Sequence, residues 1–143
     1  MVATRFAVAA HILLLLASEA GRASTSLRIA GSVNTNPVVV RRITGQLARA
    51  GLVRVRRGPG GTELSRPASE ITLQDIWRAV NSERTSRLLP LHARPNPECP
   101  VGRRVHAVLG PAFAVAERAL GDALGATTLD RLVSDLAPGS PPG

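Results

Sequence analysis

Between Asn36 and Ser65 the spacing of apolar residues changes from that of a helix to that of a strand. Only a helix followed directly by a β-hairpin satisfies both periods. Val40, Ile43 and Leu47 recur at i, i+3 and i+7, with Arg41, Arg42, Gln46 and Arg49 on the opposite side. Asn36-Pro37 supplies an N-cap and then a proline at the first helical position, where its missing N–H leaves nothing unsatisfied. Gly51 stands where a helix-ending glycine belongs. "LVRVRR" then alternates, with Val53 and Val55 expected inward and Arg54 and Arg56 outward, and "TELS" returns after Gly58-Pro59-Gly60-Gly61. Upstream, Ser26 is a candidate cap for a short helix to about Val33, and Asn34-Thr35 a tight turn. Two helices joined by such a turn, the second cationic outside and followed by a hairpin, predict a helix-turn-helix with a wing.

The rest of the chain is helical in pattern. Phe6, Ala9, Ala10, Leu13, Leu16 and Ala17 form one stripe that Leu14 and Leu15 widen, which predicts a first helix sandwiched between others and stopped by Gly21. Thr72 to Asp75 is a capping box opening a helix with Leu73, Ile76, Trp77 and Val80. Residues 82–99 hold three prolines without periodicity and read as a connecting loop. Val101, Val105, Val108, Ala112, Val115 and Ala119 then step by four and three, a heptad-like seam on a long helix that Gly110-Pro111 should bend. A last helix is expected from a Thr127 cap, with Leu129, Leu132, Val133 and Leu136 apolar. With only 2% aromatic residues the interior must be built from Ala, Val, Leu and Ile, which favours packed helices. The expected fold class is mainly α with a small β-hairpin wing, a winged helix-turn-helix plus a long C-terminal dimerisation helix. The expected divisions are 1–81 for the winged domain, 82–99 for the loop, 100–137 for the dimerisation helices and 138–143 for a frayed tail.

Charge points to a polyanion. The formal net charge is +8, and residues 41–66 carry seven arginines against Glu63 alone. Such a focused patch is the electrostatic footprint of a nucleic-acid site. Arg41 and Arg42 are candidates for base edges or phosphates, with solvated helix surface as the alternative. Thr35, Asn36 and Val38 lie at the helix start that would enter a major groove, although Asn36 also serves simply as a cap. For Arg54 and Arg56 a phosphate role and a solvated role weigh evenly. Gly58 and Gly60 would let the hairpin tip approach a sugar-phosphate backbone. No carboxylate pair, no Ser/His/Asp set and no phosphate loop after a strand is present, so no enzyme is expected.

The single Cys99 excludes an intrachain disulfide and points to a reducing, cytoplasmic compartment. It precedes Pro100, which would place the thiol at the long helix's N-terminus, where the dipole favours thiolate. Cys99 is therefore a candidate redox or electrophile sensor, against an inert small hydrophobe as the plainer reading. His92, Cys99 and His106 are too scattered to predict a metal site. Arg5, the run "FAVAAHILLLLA" and residues 18–20 also fit a secretory signal, interrupted by His11 and too short to span a membrane. The alternative function is thus a secreted cationic or non-specific nucleic-acid-binding protein.

The run from "SLRIAGSVNTNPVVVRRITGQLARAGLVRVRRGPGG" to "ITLQDIWRAV" strongly resembles the Rrf-two family of bacterial winged helix-turn-helix regulators. That family includes the iron–sulfur cluster regulator and nitric-oxide-sensing repressors. The resemblance covers roughly residues 4–136; "GLVRVRRGPGG" is its most specific element, and "NTNPVVVRR" and "HARPNPECPVGR" are similar to its YwnA-like branch. It implies binding of double-stranded DNA by a homodimer formed through the long helix, with Arg57 as the minor-groove arginine of the wing. Family members that hold a cluster use three cysteines before the long helix; with Cys99 alone, no cofactor is expected here. The expected function is a homodimeric, sequence-specific transcriptional repressor on a palindromic operator, contacting it through helix 36–50 and wing 52–65.

Overall fold

In a computed structural model the residues described are 2–19, 22–56, 60–81 and 89–136. The expected stop at Gly21, the wing-tip residues Arg57, Gly58 and Pro59, the loop residues 82–88 and the tail 138–143 lie outside them. Six α-helices are formed by Val2–Ser18 (α1), Ser26–Val33 (α2), Pro37–Arg49 (α3), Leu73–Val80 (α4), Pro100–Gly125 (α5) and Leu129–Asp135 (α6). Strands Val53–Arg56 (β1) and Gly61–Leu64 (β2) pair antiparallel, with Val53 opposite Leu64, Arg54 opposite Glu63 and Val55 opposite Thr62.

The capping chemistry sets most helix starts. The Asn36 side chain accepts from the Val39 N–H at 3.0 Å, and Pro37 follows at the first helical position. At α4 the capping box closes in both directions, Thr72 Oγ1 accepting from the Asp75 N–H and Asp75 accepting from the Thr72 N–H. Two caps shift by one residue. Thr25, not Ser26, caps α2 by accepting from the Arg28 N–H, because Ser26 already has helical backbone. Thr128, not Thr127, precedes α6: the Thr127 carbonyl accepts from the Leu73 N–H and the Ile71 carbonyl from the Leu129 N–H, which fixes the backbone by pairing across to α4's entry.

The core gathers around α1. Ile12, Leu13 and Leu16 meet Ile29, Val40, Leu47, Leu52, Ile71, Ile76 and Leu129, all essentially without exposure. Burial of each is worth roughly 1.5–3 kcal/mol before entropy is counted. Phe6 and Trp77 add an edge-to-face pair, ring centroids 5.3 Å apart, tying α1 to α4. The segment that also fits a secretory signal is therefore the central helix of the fold. It is not covered all round, however. Ala7, Ala10, His11 and Leu14 line an open cleft of about 510 Å³ together with the exposed Leu136 and Ser32, whose hydroxyl lies 3.0 Å from His11 Nε2.

Two further expectations are corrected by position. Val55 is 53% exposed: of the two inward positions of β1 only Val53 reaches the core, beside Leu64, whereas the burial at the next pair falls to Thr62 on β2. Gln46 is half-buried on α3 rather than fully outside, and its Oε1 is enclosed without a hydrogen-bond partner among the described residues. The long helix is formed as one α-helix, Pro100–Gly125, with Pro111 inside it and the Ala107 carbonyl without its helical N–H partner there.

The linker before α2 adds a third rung to the wing. Ser24 and Thr62 exchange backbone hydrogen bonds at 2.9 and 2.8 Å, and both are buried. Gly61 makes this possible, with φ +75° and a position where a Cβ would lie 2.6 Å from the Ser24 carbonyl oxygen. Gly51 has a similar φ of +78° but open space around it. Gly51→Ala should therefore cost about 1–2 kcal/mol for the left-handed backbone alone, and Gly61→Ala clearly more. Denaturant midpoints of the two variants compare them directly; equal losses would mean that the strand approach is not tight.

Glu19, just past α1, receives hydrogen bonds from the Arg28 guanidinium of α2 and from the Ser24 hydroxyl. The Arg28 hydrogen bonds hold its carboxyl below the ordinary value, with partial burial opposing them and the charges of Arg28 and Arg22 assisting. A lowered folded value means that the unfolded chain takes up the proton first on acidification. The stabilisation is present above the ordinary carboxylate range and fades as pH falls through it toward the lowered value. Between about pH 6 and about pH 3.5, wild-type protein should lose more stability than Glu19→Gln, as read from urea midpoints; identical losses would contradict this pairing.

Candidate nucleic-acid interface

The turn between α2 and α3 is made by one left-handed residue. Asn34 has φ 63°, and its N–H and that of Thr35 both return to the Ala30 carbonyl, which reverses the chain in the fewest residues. With Val40, Ile43, Thr44 and Leu47 turned into the core, Val38, Arg41, Arg42 and Arg49 take the solvent face of α3. The Thr44 hydroxyl closes on the Arg41 carbonyl at 3.1 Å, so this turn of helix is held from its buried side. Among the described residues neither Arg41 nor Arg42 has an acidic partner. Thr35 is half-buried at the helix entrance, and the Asn36 side-chain oxygen is occupied as the cap.

The wing differs. Arg54, Arg56 and Glu63 project from the same face of the hairpin, opposite to that of Val53, Thr62 and Leu64. Glu63 Oε1 accepts from Arg56 Nη2 at 2.8 Å and Nε at 3.2 Å, and lies 3.6 Å from Arg54 Nη2. The acid thus sits between the two arginines. A Cβ on Gly60 would fall 2.5 Å from the Arg56 Cβ, so Gly60 leaves room for that side chain, a local reason for glycine that sequence reading did not supply. The pairing of Arg54 with Glu63 also escaped it, although counting back from a tight turn would have placed them opposite one another. Arg57 and Gly58 lie outside the described residues.

Behind the head, Cys99 occupies the N-cap position of α5 with Pro100 at the first helical position, and its thiol is free and half-buried. None of the residues of α5 is buried in the single chain. Val101, Val108 and Val115 are 72%, 63% and 62% exposed, Ala112 and Ala119 are also exposed, and Val105 is half-buried. Contact with the head is made near the other end, where Gly121 and Gly125 approach the Gln74 side chain of α4. His106 Nε2 is 2.7 Å from the His92 carbonyl oxygen, with the two rings edge-to-face.

A model of the Rrf2 family, described as iron-dependent transcriptional regulators, matches residues 2–135. The chain belongs to the Rrf2 family. It is 37% identical over 136 residues to YwnA of Bacillus subtilis, assigned as an HTH-type transcriptional regulator, covering 95% of this chain and 99% of that one. A crystal structure of a protein assigned as DNA-binding superposes with TM-score 0.72 at 35% identity, covering 90% of this chain and 97% of that one. CymR of B. subtilis, the global cysteine regulator, shares the fold with TM-score 0.68 at 24% identity, over 94% and 96% of the two chains. As an Rrf2 member this protein is a DNA-binding transcriptional regulator and not an enzyme. No helix among the described residues is long and apolar enough to cross a membrane.

The family description raises iron. Among the described residues no three His, Cys, Asp or Glu side chains converge, and His92, Cys99 and His106 are not brought together as ligands. With one thiol in the whole sequence the donor set does not fit an iron–sulfur cluster.

Proposed function

We propose that this regulator is a homodimeric repressor that reads a palindromic operator, with α3 in the major groove and the wing on the flanking backbone. The observation that carries this reading is the solvent face of α3, where Val38, Arg41 and Arg42 are exposed near the start of a capped helix and neither arginine has an acidic partner among the described residues. Arginine there can grip a guanine edge with two parallel hydrogen bonds, and Val38 can meet a thymine methyl. Thr35 and Asn36 lie close enough to the helix start to meet phosphates. Arg54, Arg56, Arg57, Gly58 and Gly60 serve the backbone or minor groove beside it.

Dimerisation through Val101, Val105, Val108, Ala112, Val115 and Ala119 is supported by the exposure of that stripe, which a solitary winged head leaves uncovered. Two identical heads on one axis favour an operator of two inverted half-sites spaced by about 10 bp or a multiple. The protein acts without an iron–sulfur cluster, and its signal enters at Cys99, between the reading head and the dimer helix, where oxidation or alkylation would add bulk or charge. Selection of bound sequences from random duplexes, followed by footprinting upstream of neighbouring genes, tests the whole reading. A symmetric protected site overlapping a promoter, lost on oxidation of wild type and kept in Cys99→Ser, is the expected result. Absence of preference for any duplex would overturn it.

A further inference from the structure

We propose that Glu63 sets the specificity of this regulator by acting as an internal counter-charge to the wing arginines, an inference that rests on the DNA-binding reading above. Its carboxylate is largely shielded, with 19% side-chain exposure, while Arg54 and Arg56 above it are 67% and 62% exposed. The acid therefore lies beneath two outward guanidinium groups, hydrogen-bonded to that of Arg56 and 3.6 Å from that of Arg54. Arg56 is gripped through both Nε and Nη2, with its stem close against Gly60. Arginine carries five N–H donors, so Arg56 keeps others for a phosphate while remaining attached to Glu63.

The consequence is electrostatic. The Arg54, Arg56 and Glu63 cluster presents one net positive charge to a duplex instead of two, and Arg56 starts from a position set by its two hydrogen bonds to Glu63. A phosphate on any sequence must share these guanidinium groups with Glu63, so the counter-charge lowers affinity for DNA in general. A cognate duplex that seats α3 brings its backbone to these guanidinium groups and loses less. On α3 itself no acid accompanies Arg41 or Arg42 among the described residues. Neutralisation is thus placed on the wing, where contacts are blind to sequence, and withheld from the helix positioned to read bases.

The test uses the full chain and Glu63→Gln, which keeps the shape and removes the charge. A random-sequence duplex and the duplex selected by the wild-type protein are titrated over a range of salt. The variant should bind the random duplex about 3- to 10-fold more tightly at ~100 mM salt, with a log–log salt slope steeper by about one. The ratio of selected to random affinity should fall. In an Arg54→Ala, Arg56→Ala background the same Glu63→Gln change should have little effect, which a general change in surface charge would not reproduce. An unchanged random-duplex affinity and slope, or an undiminished effect without the arginines, would overturn the proposal. Weaker binding to both duplexes with a lowered melting temperature would do the same, since it assigns Glu63 to folding alone. Because the random-duplex slope is read independently of any operator, failure of the regulator reading leaves this measurement interpretable.

Discussion

Val108→Asp is expected to convert a dimer to folded monomers and to cost about 10²–10⁴-fold in operator affinity. Val108 lies mid-stripe on α5 and is 63% exposed in the single chain. A carboxylate there is harmless to the monomer but would be stripped of water without a partner between two helices. In the proposed dimer each head would bind weakly alone, and linking two heads on one duplex would supply most of the affinity through effective concentration. Since α5 buries none of its own residues within the chain, the monomer's helical content and melting should be nearly retained. Sedimentation at micromolar concentration reads the first effect and operator titration the second. Ala114→Asp, on the same helix beside the stripe, is the control. A Val108→Asp protein that stays dimeric would move the interface elsewhere.

Arg41→Ala should weaken operator binding by about 1–3 kcal/mol, roughly 5- to 150-fold, and relax preference at one base-pair position. Its guanidinium has no acidic partner among the described residues, so removing it breaks no ion pair and should leave stability within about 0.5 kcal/mol. Arg54→Ala provides the contrast: its loss should weaken all sequences alike, because a phosphate carries no sequence information. The decisive measurement is a position-by-position comparison of selected sites for the two variants. Unchanged preference in Arg41→Ala would place this residue on the backbone.

Local rules carried far in this chain because its elements start and stop on short-range chemistry. The Asn36-Pro37 start, the Thr72 and Asp75 capping box and the Gly51 stop depend on residues within four positions of one another, and all three stand in the structure. The apolar faces of α1 and α3 followed their period as well. Where reading went wrong, a partner distant in sequence decided. Val55 obeys strand alternation, yet it is 53% exposed while Thr62 opposite it on the same face is buried beside Ser24. Thr127 has a capping sequence, but pairing of residues 127–129 with 71–73 places the cap at Thr128.

The candidate site divides in the same way. That α3 would carry Val38, Arg41 and Arg42 outward followed from the positions of Val40, Ile43 and Leu47, since a helix with one buried face has only one other. That Arg54 and Arg56 share a single acid did not follow, because their charge balance depends on strand register across the turn. The sequence by itself determined the helices, the hairpin and the cationic face, all consequences of side-chain period and backbone caps. Only the tertiary structure decided that Glu63 lies beneath the wing arginines, that Ser24 joins the sheet at Gly61, and that the α5 stripe is left uncovered. The first depends on the register of the hairpin, the second on a contact between segments far apart in the chain, and the third on which element packs against which, so distance and direction, not residue order, fix the energy.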